Sequence, residues 1–438
     1  MGQAPPAPLG RDFSPSVLWH FGVEVPLASA GDPPLEADVV VVGAGYAGVR
    51  AATGLAARGK QVVVLEADDL GTGASTRNGG MVIPELKSGP RALARRYGPL
   101  GRELVDSVFS AFNLVENLIA ENNIDCDYHR FGGLLLAHHR SQVAHLQEEV
   151  SEWRDDLGEE AQFLSRSELS TEIGSDKYFG GLLVSRTGGL QPAKYHAALV
   201  DLALKAGAQI FDHKRVTSIA QDSRGGYQVK AGSTVIHADE VFLATNAYAD
   251  AIAPELAKRV LPMGSFIIAT EVLDPELAAS CIPNGRMVYD TKNFLFYWRI
   301  SPDGRMVFGG RTSLATTTVA EAQDVLYQKL LSVHPQLVST NLEYAWGGNV
   351  AITFDRLPHC GRTPIPGGGS VAFATGCNGT GVALATWFGD QAASWLSGEI
   401  APPPFSQLPF PKVPLVSLRN WYLPVVGQYF HWRDQIGR

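Results

Sequence analysis

The stretch "VVVVGAGYAGVRAATGLAARGKQVVVLEAD", Val39 to Asp68, constrains the fold more than any other part of the chain. The valines Val39 to Val42 form the continuous β-branched run expected of a strand buried on both faces of a parallel sheet. Gly43, Gly45 and Gly48 follow as GxGxxG. At that spacing the first glycine lets the chain turn sharply and the second lets backbone N–H groups approach a pyrophosphate. The third lets the next helix pack closely on the strand. Ala52, Leu55 and Gly59 fall where that helix packs and ends, and Val62 to Leu65 make a second strand. Glu66 closes it, placed to accept hydrogen bonds from an adenosine ribose; its charge would repel the extra phosphate of NADP.

A chain of 438 residues is long for one domain and predicts two units around a shared cleft. Hydrophobic residues make up 45% and charged residues 18%, the balance of a packed globular protein. A net charge of -8 with no basic block argues against a nucleic-acid partner. Cys126, Cys281, Cys360 and Cys377 are scattered, with no CxxC pair. They read as reduced thiols of a cytoplasmic protein, and no metal centre is expected. The proline-rich start, "MGQAPPAPLGRDFSPSVLWHF", lacks the apolar core of a signal peptide, and no apolar run reaches membrane-spanning length. The aromatic end, "LRNWYLPVVGQYFHWRDQIGR", is expected to dock on its own domain or on a partner subunit, which leaves a homo-oligomer open.

The first βαβ unit does not separate FAD from NAD, since both carry the same adenosine diphosphate half. The next segment, "GTGASTRNGGMVIPELK" (Gly71 to Lys87), favours a flavin. An NAD domain would proceed to another buried strand. This chain instead inserts a loop with free backbone donors, the hydroxyls of Ser75 and Thr76, and the cation of Arg77. A flavin needs such partners for its ribityl chain, second phosphate and ring edge. Further on, "GCNGTGVALATWFGD" (Gly376 to Asp390) places Gly379 and Gly381 before a strongly helical run. A helix N-terminus there would aim partial positive charge at a flavin carbonyl and stabilise the anionic reduced ring.

Together "GAGYAG", "GASTRNGG", "FYWRISPDGRMVFGGR", "DRLPHCGR" and "GCNGTGVALATWFGD" resemble the FAD-dependent oxidoreductases of the D-amino-acid oxidase superfamily. The likeness covers nearly the whole chain. It is greatest to the branch that includes gamma-glutamylputrescine oxidoreductase, with glycine and sarcosine oxidases as more distant relatives.

The resemblance implies an α/β fold. A Rossmann-like FAD-binding domain is assembled from discontinuous segments, and a substrate domain has a mainly antiparallel sheet. On that basis residues 37–95, 185–255 and 340–400 are assigned to the FAD domain, and 96–184 with 256–339 to the substrate domain. Residues 1–36 are an N-terminal extension and 401–438 the aromatic tail. Implied FAD contacts are Gly43, Gly45, Tyr46, Ala47 and Gly48 at the pyrophosphate, and Glu66 with Ala67 at the ribose. Ala74, Ser75, Thr76, Arg77, Asn78, Gly79, Gly80 and Met81 would line the phosphate and ring side, and Val216 the adenine. In "EVFLATNAYAD" (Glu240 to Asp250), Thr245 and Asn246 belong to the second dinucleotide signature, where the family has glycine in place of Asn246. Asparagine tolerates a left-handed backbone, so the turn can survive. Gly379, Thr380 and Gly381 complete the set.

The implied reaction is oxidation of a C–N bond of a small amine or amino acid. Hydride passes to flavin N5 and the imine then hydrolyses. Such chemistry asks mainly for orientation and flavin electrostatics, which agrees with the lack of a Ser-His-Asp set or carboxylate pair. Alternation along "MVYDTKNFLFYWRISPDGRMVFGGR", read as two strands joined by a Pro-Asp-Gly turn, puts Leu295, Tyr297 and Arg299 on one face. Phe294, Phe296 and Trp298 take the other. Tyr297 and Arg311 are the substrate-facing candidates, Arg311 as a carboxylate clamp or equally as a salt-bridge partner.

Where sarcosine oxidases place a lysine that promotes reaction with oxygen, this chain has Val307, so oxygen and another electron acceptor both stay open. Where they tie the flavin to a cysteine it has Gly348, which implies non-covalent FAD. The competing readings are an NAD-linked dehydrogenase and a flavin-binding subunit without turnover of its own.

Overall fold

The opening stretch forms the centre of a parallel sheet. In a computed structural model, which describes residues 6–311 and 317–437, Val39 to Val42 pair in register with Val62 to Leu65. The parallel strands run in the order Gln209–Phe211, Val62–Leu65, Glu36–Val42, Thr234–Leu243 and Ser370–Thr375. Val40, Val41, Val63 and Val64 are almost fully buried, as the sequence predicts for a sheet covered on both faces. The helices Tyr46–Ala57, Pro192–Lys205 and Gly381–Leu396 cover one face. The antiparallel strands Val216–Gln221 and Tyr227–Ala231 continue from the first half of Thr234–Leu243 and help close the other.

A second, nine-stranded sheet is mostly antiparallel. Its order is Leu9–Ser14, Leu342–Thr353, Val260–Val272, Arg305–Gly310, Phe296–Ile300, Met287–Asp290, Gly133–Leu136, Gly180–Val184, Ala161–Ser165. Phe296, Trp298 and Phe308 face an apolar cluster with Leu326 and Leu330 of the helix Val319–Val333. That packing anchors the back of the sheet, at about 1.5–3 kcal/mol for each large side chain buried, and leaves the Tyr297 face for the cleft. The region 287–311 holds three strands where the sequence suggested two, because the chain breaks at Thr291–Leu295.

Three elements pack differently from the segment limits given above. Leu9–Ser14 adds an edge strand to the nine-stranded sheet, and Trp19 is buried behind it, so the first 36 residues are built into the fold. The helix Pro99–Glu121 turns Leu104, Val108, Phe112 and Val115 into the core around the parallel sheet, where they share a cluster with Leu384 and Phe388. Leu342–Thr353 runs beside Val260–Val272 in the nine-stranded sheet. Apolar faces, and not position in the sequence, decide these memberships.

The aromatic tail forms the helix Arg419–Ile436, docked by one face. The Asp434 carboxylate accepts 2.8 Å hydrogen bonds from the backbone N–H and side-chain amide of Asn293, and the His431 ring stacks on Phe294. Trp421, Val425, Tyr429 and Trp432 stay exposed on the other side. Among the described residues no helix is long and apolar enough to cross a membrane.

Candidate functional site

Two adjoining cavities lie between the sheets, of about 1050 Å3 and about 810 Å3. They share Tyr46, Ser75, Arg77, Asn246, Gly348 and Cys377 along their common wall. The larger follows the C-terminal ends of the parallel strands, where open α/β sheets bind their ligands.

The glycine turn shapes its floor. A Cβ on Gly48 would lie 1.9 Å from the Gly43 carbonyl oxygen, so only glycine lets the helix sit this close to the strand. The helix Tyr46–Ala57 starts without a side-chain cap of its own; the Tyr46 N–H donates instead to Ser75 Oγ at 3.0 Å. Glu66 reaches back into the turn, accepting from the Ala44 N–H at 2.8 Å and the Ala67 N–H at 2.7 Å. Gly43, Gly45, Tyr46, Ala47, Glu66, Ala67, Ala74, Ser75, Arg77, Val216, Thr245 and Asn246 all line this cavity. Asn246 takes φ 46°, the left-handed turn that the sequence required of it, and its side-chain oxygen accepts from the Gly376 N–H at 3.2 Å. The Thr245 hydroxyl is buried without a hydrogen-bond partner. Such an orphan in a glycine-walled groove is the mark of a site shaped for a polar ligand, and it suits the dinucleotide implied by the fingerprint.

Three expected contacts lie elsewhere. Gly48 serves helix packing and does not line either cavity. Thr76 is fully buried on the far side of its loop, where its hydroxyl bonds to the Gly71 carbonyl and lies 2.9 Å from His20 Nε2. Gly80 is pressed against the protein, since a Cβ there would lie 2.2 Å from the Leu190 carbonyl oxygen. For Thr76 and Gly80 the tight turn that the loop needs turns the residue away from the groove. Asn78 holds that turn, donating to the Ser75 carbonyl at 2.8 Å and accepting from the Gly80 N–H at 2.8 Å.

The second cavity is lined by Asn78, Gly79, Met81, Leu295, Tyr297, Arg311, Gly379, Thr380 and Gly381. The helix Gly381–Leu396 opens onto it without a side-chain cap, so its first-turn N–H groups and positive dipole end face the space. Of the residues predicted to share a strand face, Tyr297 and Leu295 reach the cavity. Arg299 instead turns under the sheet, donating to the Leu190 carbonyl at 2.6 Å and lying over the Trp19 ring. Burial raises the Tyr297 phenol. The Arg311 guanidinium has no ion-pair or hydrogen-bond partner among the described residues, and its buried Nε is orphaned. Burial, and then the charge of Arg356, push its pKa down to about 10. Trp346 donates to the Arg77 carbonyl at 2.9 Å on the wall of the larger cavity, and His359 is tied to Asp355 behind it.

Charged residues that the sequence reading did not single out also line this space: Glu85, Lys87 and Arg356. The signal for the first two was "PELK" directly after the glycine loop. In an extended segment residues two apart point to the same side, so a carboxylate and an ammonium share one wall. No local pattern marks Arg356. A metal was not expected, and the one clustered set among the described residues, Asp69, Asp212 and His213, lies at the surface.

A glycine-turn cradle at a parallel sheet, opening into a charged pocket under an antiparallel sheet, is the architecture of a flavin-dependent oxidoreductase. The profile of the FAD dependent oxidoreductase family, DAO, matches residues 38–395, and the chain belongs to that family. It is 32% identical to gamma-glutamylputrescine oxidoreductase of Escherichia coli (strain K12) over 404 residues, covering 91% of this chain and 93% of the relative. It is 33% identical to the probable oxidoreductase OrdL of Haemophilus influenzae over 377 residues, 84% of this chain and 85% of that one. Among solved structures, glycine oxidase from Geobacillus kaustophilus matches with a TM-score of 0.71 at 22% identity, over 86% of this chain and 99% of that one. L-proline dehydrogenase from P. horikoshii matches at 0.69 and 20%, over 85% and 96%. These two likenesses share the fold; the family places the chain among oxidoreductase enzymes.

Proposed function

We propose that the protein binds FAD without a covalent tether and oxidises a C–N bond of a small amine or amino acid that carries a carboxylate. The observation that carries this reading is Arg311, a cation without a partner among the described residues, in a cavity reached by the Gly379–Gly381 helix end. A partly buried guanidinium with an orphaned Nε is costly, and a substrate carboxylate held by its fork would offset that cost. Bound FAD would accept the hydride from the carbon beside the nitrogen; water then hydrolyses the released imine, and oxygen or another acceptor regenerates the oxidised cofactor.

The chain's own groups orient and tune. Lys87, Arg311 and Arg356 put cations on a wall that also carries the carboxylates of Glu85, Glu149, Glu152 and Asp290. Beside those cations a protonated amine is disfavoured, which favours the neutral amine from which hydride can leave. Tyr297 fixes the floor, its hydroxyl 3.4 Å from Ser265 Oγ. The uncapped helix end at Thr380 offers positive potential to negative charge developing in the cavity.

The absence of a tether rests on Gly348, which stands at the cavity wall without a thiol, and on Cys377. Cys377 is the one cysteine among the described residues on either wall; burial pushes its pKa to about 12, so no thiolate is available to attack a ring. All four cysteines are buried and unpaired, which supports a reducing, cytoplasmic setting.

The test is anaerobic mixing of the yellow holoprotein with a panel of polyamine derivatives, N-methylated amino acids, D-amino acids and glycine. Bleaching by at least one carboxylate-bearing amine is expected. A flavin that no member bleaches would leave the reading of a binding subunit without turnover. After acid precipitation the colour is expected in the supernatant.

A further inference from the structure

Ala44 sits between the first two glycines of the fingerprint turn, and both of its peptide planes are held by side chains. Its N–H donates to Glu66 Oε2 at 2.8 Å, and its carbonyl oxygen accepts from His196 Nε2 at 2.7 Å. His196 comes from a distant element, the helix Pro192–Lys205, and lines the same cavity as Gly43, Ala44 and Gly45. A carbonyl oxygen only accepts, so Nε2 carries the hydrogen of that bond. The ring is almost fully buried, and its Nδ1 has no partner among the described residues. A buried imidazole with an orphaned nitrogen is a costly filler where an apolar side chain would serve packing as well. The one hydrogen bond it makes among the described residues goes to the fingerprint turn.

That bond decides which way a peptide plane faces. In a trans peptide the C=O and the N–H point in opposite directions. A carbonyl held by His196 therefore turns the Gly45 N–H away from the histidine. This N–H has no hydrogen-bond partner among the described residues, while the Gly45 carbonyl already accepts from the Val49 N–H at 3.0 Å. Were the plane to turn over, the Ala44 oxygen would replace the Gly45 N–H, and its partial negative charge would oppose a phosphate. The ring itself is held in place. It packs beside the Tyr46 ring at 6.1 Å between centroids, and the Tyr46 hydroxyl donates to the Pro192 carbonyl at 3.1 Å.

We propose, building on the FAD reading above, that His196 is a positioning residue for the cofactor: it holds the Ala44 carbonyl so that the Gly45 N–H is presented to the pyrophosphate. Glu66 fixes the preceding plane in the same way through the Ala44 N–H. The turn is set before the cofactor arrives, so binding needs no reorientation of this peptide. The role has a signature that plain packing lacks. It acts on ligands that carry a pyrophosphate and leaves the adenosine half alone.

The experiment titrates the apoprotein with FAD, and with ADP and adenosine as competitors of FAD. ADP and adenosine share the nucleoside and differ in the pyrophosphate. His196→Leu removes the donor, and His196→Gln restores an N–H at about the reach of Nε2. In His196→Leu the Kd values for FAD and ADP are expected to rise about 3- to 10-fold, the range of one hydrogen bond, with adenosine unchanged. His196→Gln should recover most of that loss. Phosphorus NMR of bound FAD should show displaced pyrophosphate resonances in His196→Leu and near-wild-type ones in His196→Gln.

Melting temperature of each apoprotein shows that the variant is folded. If His196→Leu fails to fold, His196→Asn takes its place, its amide set one carbon further from Ala44 than that of His196→Gln. Equal losses for ADP and adenosine, unchanged affinities for FAD and ADP, or no recovery in His196→Gln overturn the proposal and leave His196 a packing residue. A wild-type apoprotein that takes up no FAD would instead bring down the functional reading itself.

Discussion

The two cavities are neighbours built by opposite means. The larger is shaped by backbone: the Gly43 turn, the left-handed Asn246, and the start of the helix Tyr46–Ala57. The smaller is shaped by side-chain charge from separate parts of the chain, Glu85 and Lys87 beside the glycine loop, Arg311 after one strand and Arg356 after another. A ligand part that never changes can be held by N–H groups and helix ends, which any sequence of the right turns supplies. A part that varies between relatives is read by side chains on a rigid frame. The contrast predicts that damage to the first cavity removes the cofactor, while damage to the second changes which molecule is oxidised.

The largest effect is expected at Gly48. An alanine Cβ 1.9 Å from the Gly43 carbonyl oxygen forces helix and strand apart, at a cost of about 4 kcal/mol or more, beyond the usual range of point mutations. Gly48→Ala should purify colourless and melt at a much lower temperature. A yellow, stable variant would mean that the cradle does not depend on this close approach.

Next comes Arg311→Met. Activity with carboxylate-bearing amines should drop by roughly 30- to 5,000-fold, the 2–5 kcal/mol of a charge pair broken on one side. Flavin content should stay normal. The apoprotein should become slightly more stable, because a partly buried cation without a partner among the described residues and its repulsion with Arg356 are both removed. A loss of stability together with activity would show Arg311 to be structural.

The same division explains what could be read from sequence. GxGxxG and the acid at Glu66 are local patterns whose geometry follows from spacing, so the parallel sheet and most of the cradle were visible from Val39 to Asp68. Tyr297 could be placed on its strand face by alternation alone. Arg299 follows the same alternation, yet a carbonyl at Leu190 and the Trp19 ring capture it beneath the sheet, and neither is local. Thr76 and Gly80 sit among true cavity residues, but one turn of backbone aims them inward. Arg356 is brought to the cavity only by the path of the chain after the strand Leu342–Thr353. Proximity of that kind is a property of topology and leaves no spacing to recognise.

A smaller effect separates cofactor affinity from fold. Replacing Thr245 by valine removes an orphaned buried hydroxyl while keeping its shape. Apoprotein stability should be unchanged or slightly raised, whereas FAD should bind about 3- to 10-fold more weakly if that hydroxyl donates to it. Equal FAD affinity in titrations of Thr245→Val would place the hydroxyl outside the cofactor's contacts.

The smallest effect, and the one that sets the cavities most directly against each other, is in pH. Burial raises the Glu85 carboxyl above its ordinary value. Between its unfolded and folded pKa the native state therefore binds more protons than the unfolded chain, and stability falls as pH rises through that window. Glu85→Gln should erase this trend, so its melting temperature should gain on wild type as pH rises. Melting curves of the apoprotein across the mildly acidic range check the slope. If the slope persists in Glu85→Gln, the group that titrates is not Glu85.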